Sequence, residues 1–327
     1  MKKTKFLKKL VALTALFGIF LAFSACNDDD DNVQPQTIAV IAQGNANLST
    51  LVSALVRADL VTVLNNPGNY TVFAPTNAAF SAFLGAGVSV NDVPVADLRQ
   101  ILLNHVISTK LTASTLPEDG YIKTLALGSA STTNTLSMYV KKTGAVVRLN
   151  GSAEVTSANI DASNGVIHIV DEVIGLSTLV DAALANDNFS SLVEALTSQG
   201  QPNFVSILSG TGPFTVFAPT NAAFTNLGTE LAAIPFTPTT AQLTSVLQYH
   251  VINGNVLEAS LPAVVSGPTS GSVTTLNNQN IIISLTGGAK ITGAFMPTRP
   301  ASNIVVTDVQ CTNGVIHVLD KVLLPVL

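Results

Sequence analysis

One ten-residue segment occurs twice in the sequence, and this repeat sets the number of domains. Thr-Val-Phe-Ala-Pro-Thr-Asn-Ala-Ala-Phe fills residues 71–80 and again residues 215–224. Its β-branched and aromatic start favours a strand, which proline ends. A threonine or asparagine then caps a helix; the candidates are Thr76 or Asn77, and Thr220 or Asn221. The segment carries no acidic or basic group, so the pattern indicates a structural strand-turn-helix element.

Three further segments repeat in the same order around it. Asn47–Leu55 matches Asn188–Leu196, Leu98–Ile107 matches Leu243–Ile252, and Asn164–Ile174 matches Asn313–Leu323, at offsets of 141, 145 and 149 residues. The first two pairs have the apolar spacing of amphipathic helices, and the third predicts a strand. Leu136–Val155 and Val273–Ile291 alternate in polarity, which predicts β-hairpins. Because the offset changes only between segments, the insertions lie in loops.

The duplication predicts two domains, residues 37–176 and residues 177–327. A chain of 327 residues is long enough for two separate cores. Only Gly175–Ser177 lies between the last repeated segment of one copy and the start of the next. This connection is too short for a flexible linker, so we expect a restricted mutual orientation of the domains.

Residues 1–25 have the features of a secretory signal peptide: lysines, then the apolar run Leu10–Phe23, then small residues before Cys26. Leu21–Cys26 resembles the lipobox of bacterial lipoproteins, although Phe23 departs from the usual leucine. That resemblance implies that Cys26 becomes the lipidated first residue of the mature protein, with the membrane as a partner. The alternative is an ordinary secreted protein with a spare cysteine.

Residues 26–36 follow as an acidic segment with too few apolar groups to fold, so we expect a flexible tether. The run Asp28–Asp31 resembles surface-export signals of some Gram-negative lipoproteins, which implies an outer membrane lipoprotein exposed at the cell surface; a solvated spacer is the alternative. Without residues 1–25, ten basic residues face twenty acidic ones, a formal charge of −10. No basic stripe is left, which argues against a nucleic-acid partner.

The repeated segments, with His-Val-Ile and Asn-Gly-Val-Ile-His in both copies, resemble the fasciclin (FAS1) domain over residues 37–327. The resemblance implies an α/β (α+β) fold, with two tandem domains that are each a wedge-like β-sandwich flanked by helices, and a role in extracellular adhesion. In animal members a Tyr-His pair has been linked to integrin binding. That pair is Tyr249-His250 here and Asn104-His105 in the first copy, so these four are the candidate interaction residues.

The histidine, cysteine and acidic residues favour a structural role over a catalytic one. His105 pairs with His250 and His168 with His317 across the repeat, and their apolar surroundings predict buried, hydrogen-bonded imidazoles. Cysteine or acidic residues do not repeat beside them at zinc-like spacing, so we expect no metal and no cofactor. A Gly-x-Ser-x-Gly elbow is missing, and Asp171 and Asp320 should lie on the opposite strand face from the histidines. Catalytic residues are therefore not expected.

These observations favour a non-enzymatic, lipid-anchored surface protein that binds an extracellular protein or glycan through its two domains. The alternative function is a carbohydrate-acting enzyme or an envelope assembly factor, which would need a pocket with convergent carboxylates. With Cys26 lipidated, Cys311 has no partner, and we expect it to be a small buried hydrophobe.

Overall fold

The computed structural model describes residues 36–231, 238–261, 270–294 and 299–327. The signal peptide of residues 1–25, the lipid attachment at Cys26 and the tether up to residue 35 lie outside the described residues and stay predictions. Within the described residues no single helix is long and apolar enough to cross a membrane; only the pair Ile38–Gly44 and Ala46–Arg57, bent by 106°, meets that criterion together.

Each copy of the repeat forms a helical layer and a seven-stranded sheet. The first contains α1 Ile38–Gly44, α2 Ser49–Arg57, α3 Val61–Asn65, β1 Tyr70–Pro75, α4 Asn77–Leu84, α5 Val95–Leu103, β2 Val106–Ile107, β3 Asp119–Gly128, β4 Ser131–Thr143, β5 Val146–Leu149, β6 Ala153–Ala162 and β7 Gly165–Val170. The second contains α6 Leu179–Ala185, α7 Ser190–Thr197, α8 Phe204–Leu208, β8 Phe214–Pro219, α9 Asn221–Leu231, α10 Thr240–Tyr249, β9 Val251–Asn253, β10 Ser270–Thr274, β11 Asn280–Ser284, β12 Lys290–Thr292, β13 Ser302–Cys311 and β14 Gly314–Leu319.

The repeated strand, β1 or β8, is the second strand from one edge of its sheet. The first sheet has the order β2-β1-β7-β6-β5-β4-β3, and the second has the equivalent order β9-β8-β14-β13-β12-β11-β10. Among the strands that the structure describes, only β1 with β7 and β8 with β14 pair in parallel. Val72 and Ala74 of β1 pack against the helices, whereas Phe73 shares a core with Met138 and Val140 of β4. Because successive residues of a strand face opposite ways, β1 is buried on both faces.

The threonine and the asparagine that follow β1 and β8 have different roles. The threonines cap their helices: Thr76 Oγ1 accepts from Ala79 N at 3.1 Å, and Thr220 Oγ1 accepts from Ala223 N at 3.3 Å. Asn77 instead accepts from Thr50 N at 2.9 Å, at the start of α2, which has no side-chain cap of its own. The threonine alternative for the cap is therefore confirmed, and the asparagine ties two helices together.

A bulge bends the long strand that precedes the last strand of each sheet. The register of β6 shifts between Val155 and Ile160, and that of β13 shifts between Ile304 and Val309. Asn159 and Asp308 occupy equivalent positions in these bulges with φ of 61° and 57°, values that asparagine and aspartate tolerate better than most residues. A bulge of this kind bends the strand and increases its local twist.

Two expectations about position need correction. The segment Leu98–Ile107 predicted a helix with His105 on its apolar stripe, but α5 ends at Leu103 with Asn104 as its C-cap, so His105 lies just beyond the helix. Asp171 and Asp320 do not lie on a regular strand face, because β7 and β14 end one residue earlier, at Val170 and Leu319. Both aspartates instead accept a backbone N–H from the neighbouring strand.

The two domains contact each other through the β3–β4 hairpin, which we call the domain-1 arm. Its two strands span ten and thirteen residues, whereas their counterparts β10 and β11 are described over five residues each. At its tip Ala130 N donates to Thr312 O at 2.7 Å. Gly128 allows this approach, since a Cβ there would lie 2.6 Å from Thr312 Cα.

Polar side chains continue the contact along the domain-1 arm. Lys123 Nζ donates to Asp308 O at 2.6 Å, and Gln310 N donates to Ser137 Oγ at 3.0 Å. Asn186 Nδ2 donates to the Tyr121 hydroxyl at 2.8 Å. The short connection predicted a restricted mutual orientation, and these contacts provide a physical basis for one.

Candidate functional site

His105 and His250 join a helix end to the segment that follows the last strand. His105 Nε2 accepts from Ile174 N at 2.9 Å, so the proton is on Nδ1, which donates to Ile101 O at 2.7 Å. His250 repeats this arrangement with Leu323 N at 2.9 Å and Val246 O at 2.7 Å. Both imidazoles are buried, and both ring nitrogens are used. Each histidine therefore holds two backbone segments together.

Burial fixes the charge state of these two imidazoles. It lowers the pKa of His105 and of His250 from 6.5 to about 4, against the smaller opposite effect of the hydrogen bond to the helix carbonyl. A nearby Arg299 contributes a further lowering of the pKa at His250. At neutral pH both rings are uncharged, which matches the donor-acceptor geometry.

The residues before these histidines, Asn104 and Tyr249, are also buried, at 2% and 0% exposure. Asn104 Nδ2 donates to Gly175 O at 2.9 Å. The Tyr249 hydroxyl donates to Asn280 O at 2.6 Å and accepts from Ala294 N at 3.0 Å. The structure thus brings all four candidate interaction residues into the interior as two equivalent pairs. Direct contact between these side chains and a ligand stays a prediction.

His168 and His317 hold the strand bulges in place. Asn159 N donates to His168 Nδ1 at 3.3 Å, and His168 Nε2 donates to Leu111 O at 2.8 Å. His317 makes the same two bonds with Asp308 N and Val256 O. The rings stack on Phe73 and Phe217, with centroids 5.5 Å and 5.7 Å apart. Burial lowers the pKa of both histidines. These residues explain the Val-Ile-His motif as a bulge support.

The Asn-Gly pair before this motif is also structural. Asn164 accepts from Ile38 N at 2.9 Å and donates to Leu64 O at 2.8 Å, so it joins α1 to the end of α3. Gly165 packs against β1 so closely that a Cβ would lie 2.0 Å from Tyr70 O. Asn313 and Gly314 repeat both features in the second domain.

Metal and nucleophile chemistry find little support in the part of the chain that the structure describes. There, no group of three or more histidine, cysteine, aspartate or glutamate side chains is arranged to hold a metal ion. Cys311 is buried in the core of the second domain, and burial raises the pKa of its thiol to about 12. Such a thiol stays protonated at neutral pH, as a packing residue does.

Comparison with known proteins identifies the family. The sequence model of the fasciclin domain matches residues 46–176 and 187–325. The chain belongs to the fasciclin domain family. Each match lies within one of the domains that the repeat predicted, and the two together cover most of the described residues.

Individual relatives agree with this assignment. The chain is 38% identical over 181 residues to protein sll1483 of Synechocystis sp., covering 51% of this chain and 95% of the relative. It is 26% identical over 300 residues to transforming growth factor-beta-induced protein ig-h3 of Sus scrofa, covering 89% and 39%. A solved FAS1 domain pair from the insect cell adhesion molecule fasciclin I matches with a TM-score of 0.53, at 21% identity, over 86% of this chain and 98% of that chain. The solved pair supports the tandem fold.

The residues that connect the two domains were not predicted from the sequence. Lys123, Ser137 and Gln310 make such contacts, and all three lie outside the repeated segments. The alternating stretches Leu136–Val155 and Val273–Ile291 are nearly equal in length, so they do not mark the domain-1 arm. Hairpin length alone does not reveal which surface a hairpin contacts.

Proposed function

We propose that this protein is a non-enzymatic, lipid-anchored surface protein whose two fasciclin domains bind an extracellular protein or glycan. The observation that carries the proposal is the tandem fasciclin pair joined directly through the domain-1 arm. A pair of domains held in one orientation presents a continuous exterior to a partner, which lowers the entropy cost of binding compared with two loosely tethered domains.

The internal hydrogen bonds support a function that depends on surface binding and not on a catalytic pocket. The histidines and asparagines that the two copies share are used to hold backbone segments together. A residue committed in this way is not free to transfer protons or to ligate a metal. Ligand binding would therefore depend on exposed loops and strand faces, as in other interaction domains built on a rigid scaffold.

The sequence of residues 1–36 supports the anchor. A signal-like segment, small residues and a cysteine coincide at Cys26, and an acidic tether of about ten residues follows. Extended at about 3.5 Å per residue, such a tether reaches roughly 35 Å, enough to hold the domains clear of lipid headgroups. An outer membrane location with the domains facing outward fits this arrangement.

The anchor is tested by replacing Cys26 with serine in the full-length chain. We expect the Cys26→Ser protein to leave the membrane fraction, while the wild-type chain stays in it. A control replacement of Cys311 with serine should not change fractionation, because that thiol is buried in the second domain. A Cys26→Ser protein that fractionates with membranes as before would show that another feature anchors the chain.

Ligand binding is tested with residues 27–327 on arrays of extracellular proteins and glycans. We expect saturable binding to at least one class of extracellular molecule. A variant with Lys123→Met and Tyr121→Phe, which removes two contacts between domains, should bind more weakly if the partner spans both domains. Failure to bind any extracellular protein or glycan, together with turnover of a carbohydrate substrate, would favour the enzymatic alternative instead.

A further inference from the structure

Four polar groups of the second domain bond the domain-1 arm, and we call them the arm footprint. They are three backbone atoms and one side-chain atom: Asp308 O, Gln310 N, Thr312 O and Asn186 Nδ2. Their bonds to the arm are 2.6–3.0 Å long. Tyr121 of the arm also packs against the apolar core of the second domain. Because three of the four groups belong to the backbone, the footprint depends mainly on the course of the chain.

The first domain has the same four groups at the equivalent positions of the repeat. They are Asn159 O, Asp161 N, Ser163 O and Asn45 Nδ2. Asn45 Oδ1 accepts from Asn47 N at 3.0 Å, and Ser163 N donates to Gln36 O at 2.8 Å; the counterparts of both bonds in the second domain are 3.0 Å and 2.9 Å long. Strands β6 and β13 also pair with their neighbours in the same register there. The four groups are therefore oriented alike in the two domains.

The side chain in the middle of each footprint is bonded within its own domain. In the second domain the side chain of Gln310 bonds that of Asn255, with an Nδ2–Oε1 distance of 3.1 Å. In the first domain an ion pair occupies the same two positions, because Asp161 Oδ1 accepts from Lys110 Nζ at 2.8 Å. Each pair joins the bulged strand to the segment that follows β2 or β9. The exchange of the amide pair for an ion pair therefore leaves the backbone N–H of Asp161 accessible.

The two footprints differ in their exposure. Under the arm, Gln310 is 1% exposed, whereas its counterpart Asp161 in the first domain is exposed. Asn159 and Ser163 are exposed as well, although their counterparts in the second domain are half-buried. In the described part of the chain no side chain donates to Asn159 O or Ser163 O, and none accepts from Asp161 N. Among the described residues, the first domain therefore has the arm footprint without an arm on it.

The chain itself offers no second arm for this surface. Gln36 lies at the position of Ser177, whose carbonyl binds Thr312 N beside the arm and leaves room for it. Residues 27–35 contain four aspartates but no tyrosine, lysine or serine, which are the side chains that the arm uses. Exposed edges of strands readily take up a further strand from another chain. The occupant that fits is a β-hairpin of another protein.

We propose that the first domain docks a β-hairpin of another protein in the way that the second domain docks the domain-1 arm, an inference that rests on the proposed binding of an extracellular protein. In the complex a tyrosine bonds Asn45, a lysine bonds Asn159 O, and a turn of small residues meets Ser163 O. The turn must be small because the arm approaches so closely that a Cβ at Gly128 would lie 2.6 Å from Thr312 Cα. The partner is a fasciclin domain that carries such a hairpin.

The experiment uses a donor chain whose own arm has been released. The donor is residues 27–327 with Asn186→Trp, which fills the place of the Tyr121 hydroxyl, and Asn45→Trp, which blocks its own first-domain footprint. Faster hydrogen exchange at Ala130 N than in the wild type shows that the arm has left the second domain. A second donor, with Thr312→Trp in place of Asn186→Trp, keeps the test valid if the first folds poorly or keeps its arm bound.

Binding of the fluorescently labelled donor to the wild-type chain of residues 27–327 is measured by sedimentation velocity. We expect saturable binding of one donor per wild-type chain. A labelled chain with Asn45→Trp alone keeps its arm on its own second domain, and it should bind at least tenfold more weakly than the donor. This comparison shows whether the released arm is the part that binds.

Four variants of the acceptor chain locate the site. Asn45→Trp and Asp161→Pro should each weaken donor binding at least tenfold; proline removes the footprint N–H and is tolerated where that N–H faces outward from a strand. Asn91→Trp, at an exposed loop position before α5, and Asp161→Asn, which keeps the N–H, should stay within twofold of the wild type. No binding by a donor with a released arm, or equal binding by all four variants, would overturn the proposal. Either result leaves the proposed function standing, because binding on the arrays is measured without the donor.

Discussion

Acid should destabilise this protein through its buried histidines, and replacing His105 should remove a defined part of that effect. His105 is neutral in the folded protein, with a pKa of about 4, and returns to an ordinary value near 6.5 on unfolding. A group whose pKa is lower in the folded state stabilises the fold fully above its unfolded pKa, and that contribution is lost as the pH falls towards the folded pKa. The window therefore extends from about pH 6.5 down to about pH 4.

The magnitude follows from the same two pKa values. At about 1.4 kcal/mol per pKa unit, the full contribution of His105 is about 3 kcal/mol, of which about 2 kcal/mol is lost between pH 7 and pH 5. His168, whose pKa burial also lowers, adds to the loss in the same domain. Removing the imidazole at pH 7 leaves Ile174 N and Ile101 O unpaired, which costs about 1–3 kcal/mol. The cost of His105→Ala should therefore fall by about 2 kcal/mol at pH 5.

The measurement is urea unfolding of wild-type and His105→Ala protein at both pH values, followed by circular dichroism. Val106→Ala is the control, because the neighbouring Val106 is buried but does not titrate, so its cost should be the same at both pH values. His250→Ala should reproduce the effect in the second domain. If the cost of His105→Ala is the same at pH 7 and pH 5, the imidazole is not held neutral and the argument fails.

Two further outcomes follow from the packing. Gly165→Ala should destabilise the first domain by more than about 3 kcal/mol, because the new Cβ would overlap Tyr70 O. The control Gly144→Ala lies at a positive φ with open space around it, and it should cost about 1 kcal/mol. Equal losses of stability in thermal unfolding would contradict the close packing of Gly165 against β1. Lys123→Met should weaken the contact between the domains at Asp308 O, so that calorimetry shows the unfolding transitions of the two domains farther apart in temperature. An unchanged calorimetric profile would show that this contact does not couple the unfolding of the two domains.

Much of each domain was predictable from the sequence because the duplication marks it twice. The apolar pattern and the proline act locally, and they predict the position and type of β1, of α4 and of the final strand. The burial of His168 also followed from its neighbours. The separate roles of Thr76 and Asn77 were not predictable, since Asn77 binds the start of a helix that lies 27 residues away in the sequence.

Differences between the copies were harder to foresee than their similarities. Arg57 donates to Val93 O in the first domain, and its exchange for Ser198 at the equivalent position of the second has no periodic signal. Its effect depends on how far one side chain reaches across a helix interface, which a linear pattern does not encode. The contacts of the domain-1 arm are of the same kind, because polar pairs between domains carry no hydrophobic periodicity.

The contact that the domain-1 arm makes with the second domain gives the two domains a fixed order along the chain. The domain-1 arm reaches Thr312, and the equivalent strands of the second domain, β10 and β11, are described over five residues each. A chain with the same two domains in reverse order would therefore keep both folds and lose their contact. The two halves repeat the same motifs, but the arm that contacts Thr312 and Asp308 belongs to the first half, so the halves are not interchangeable.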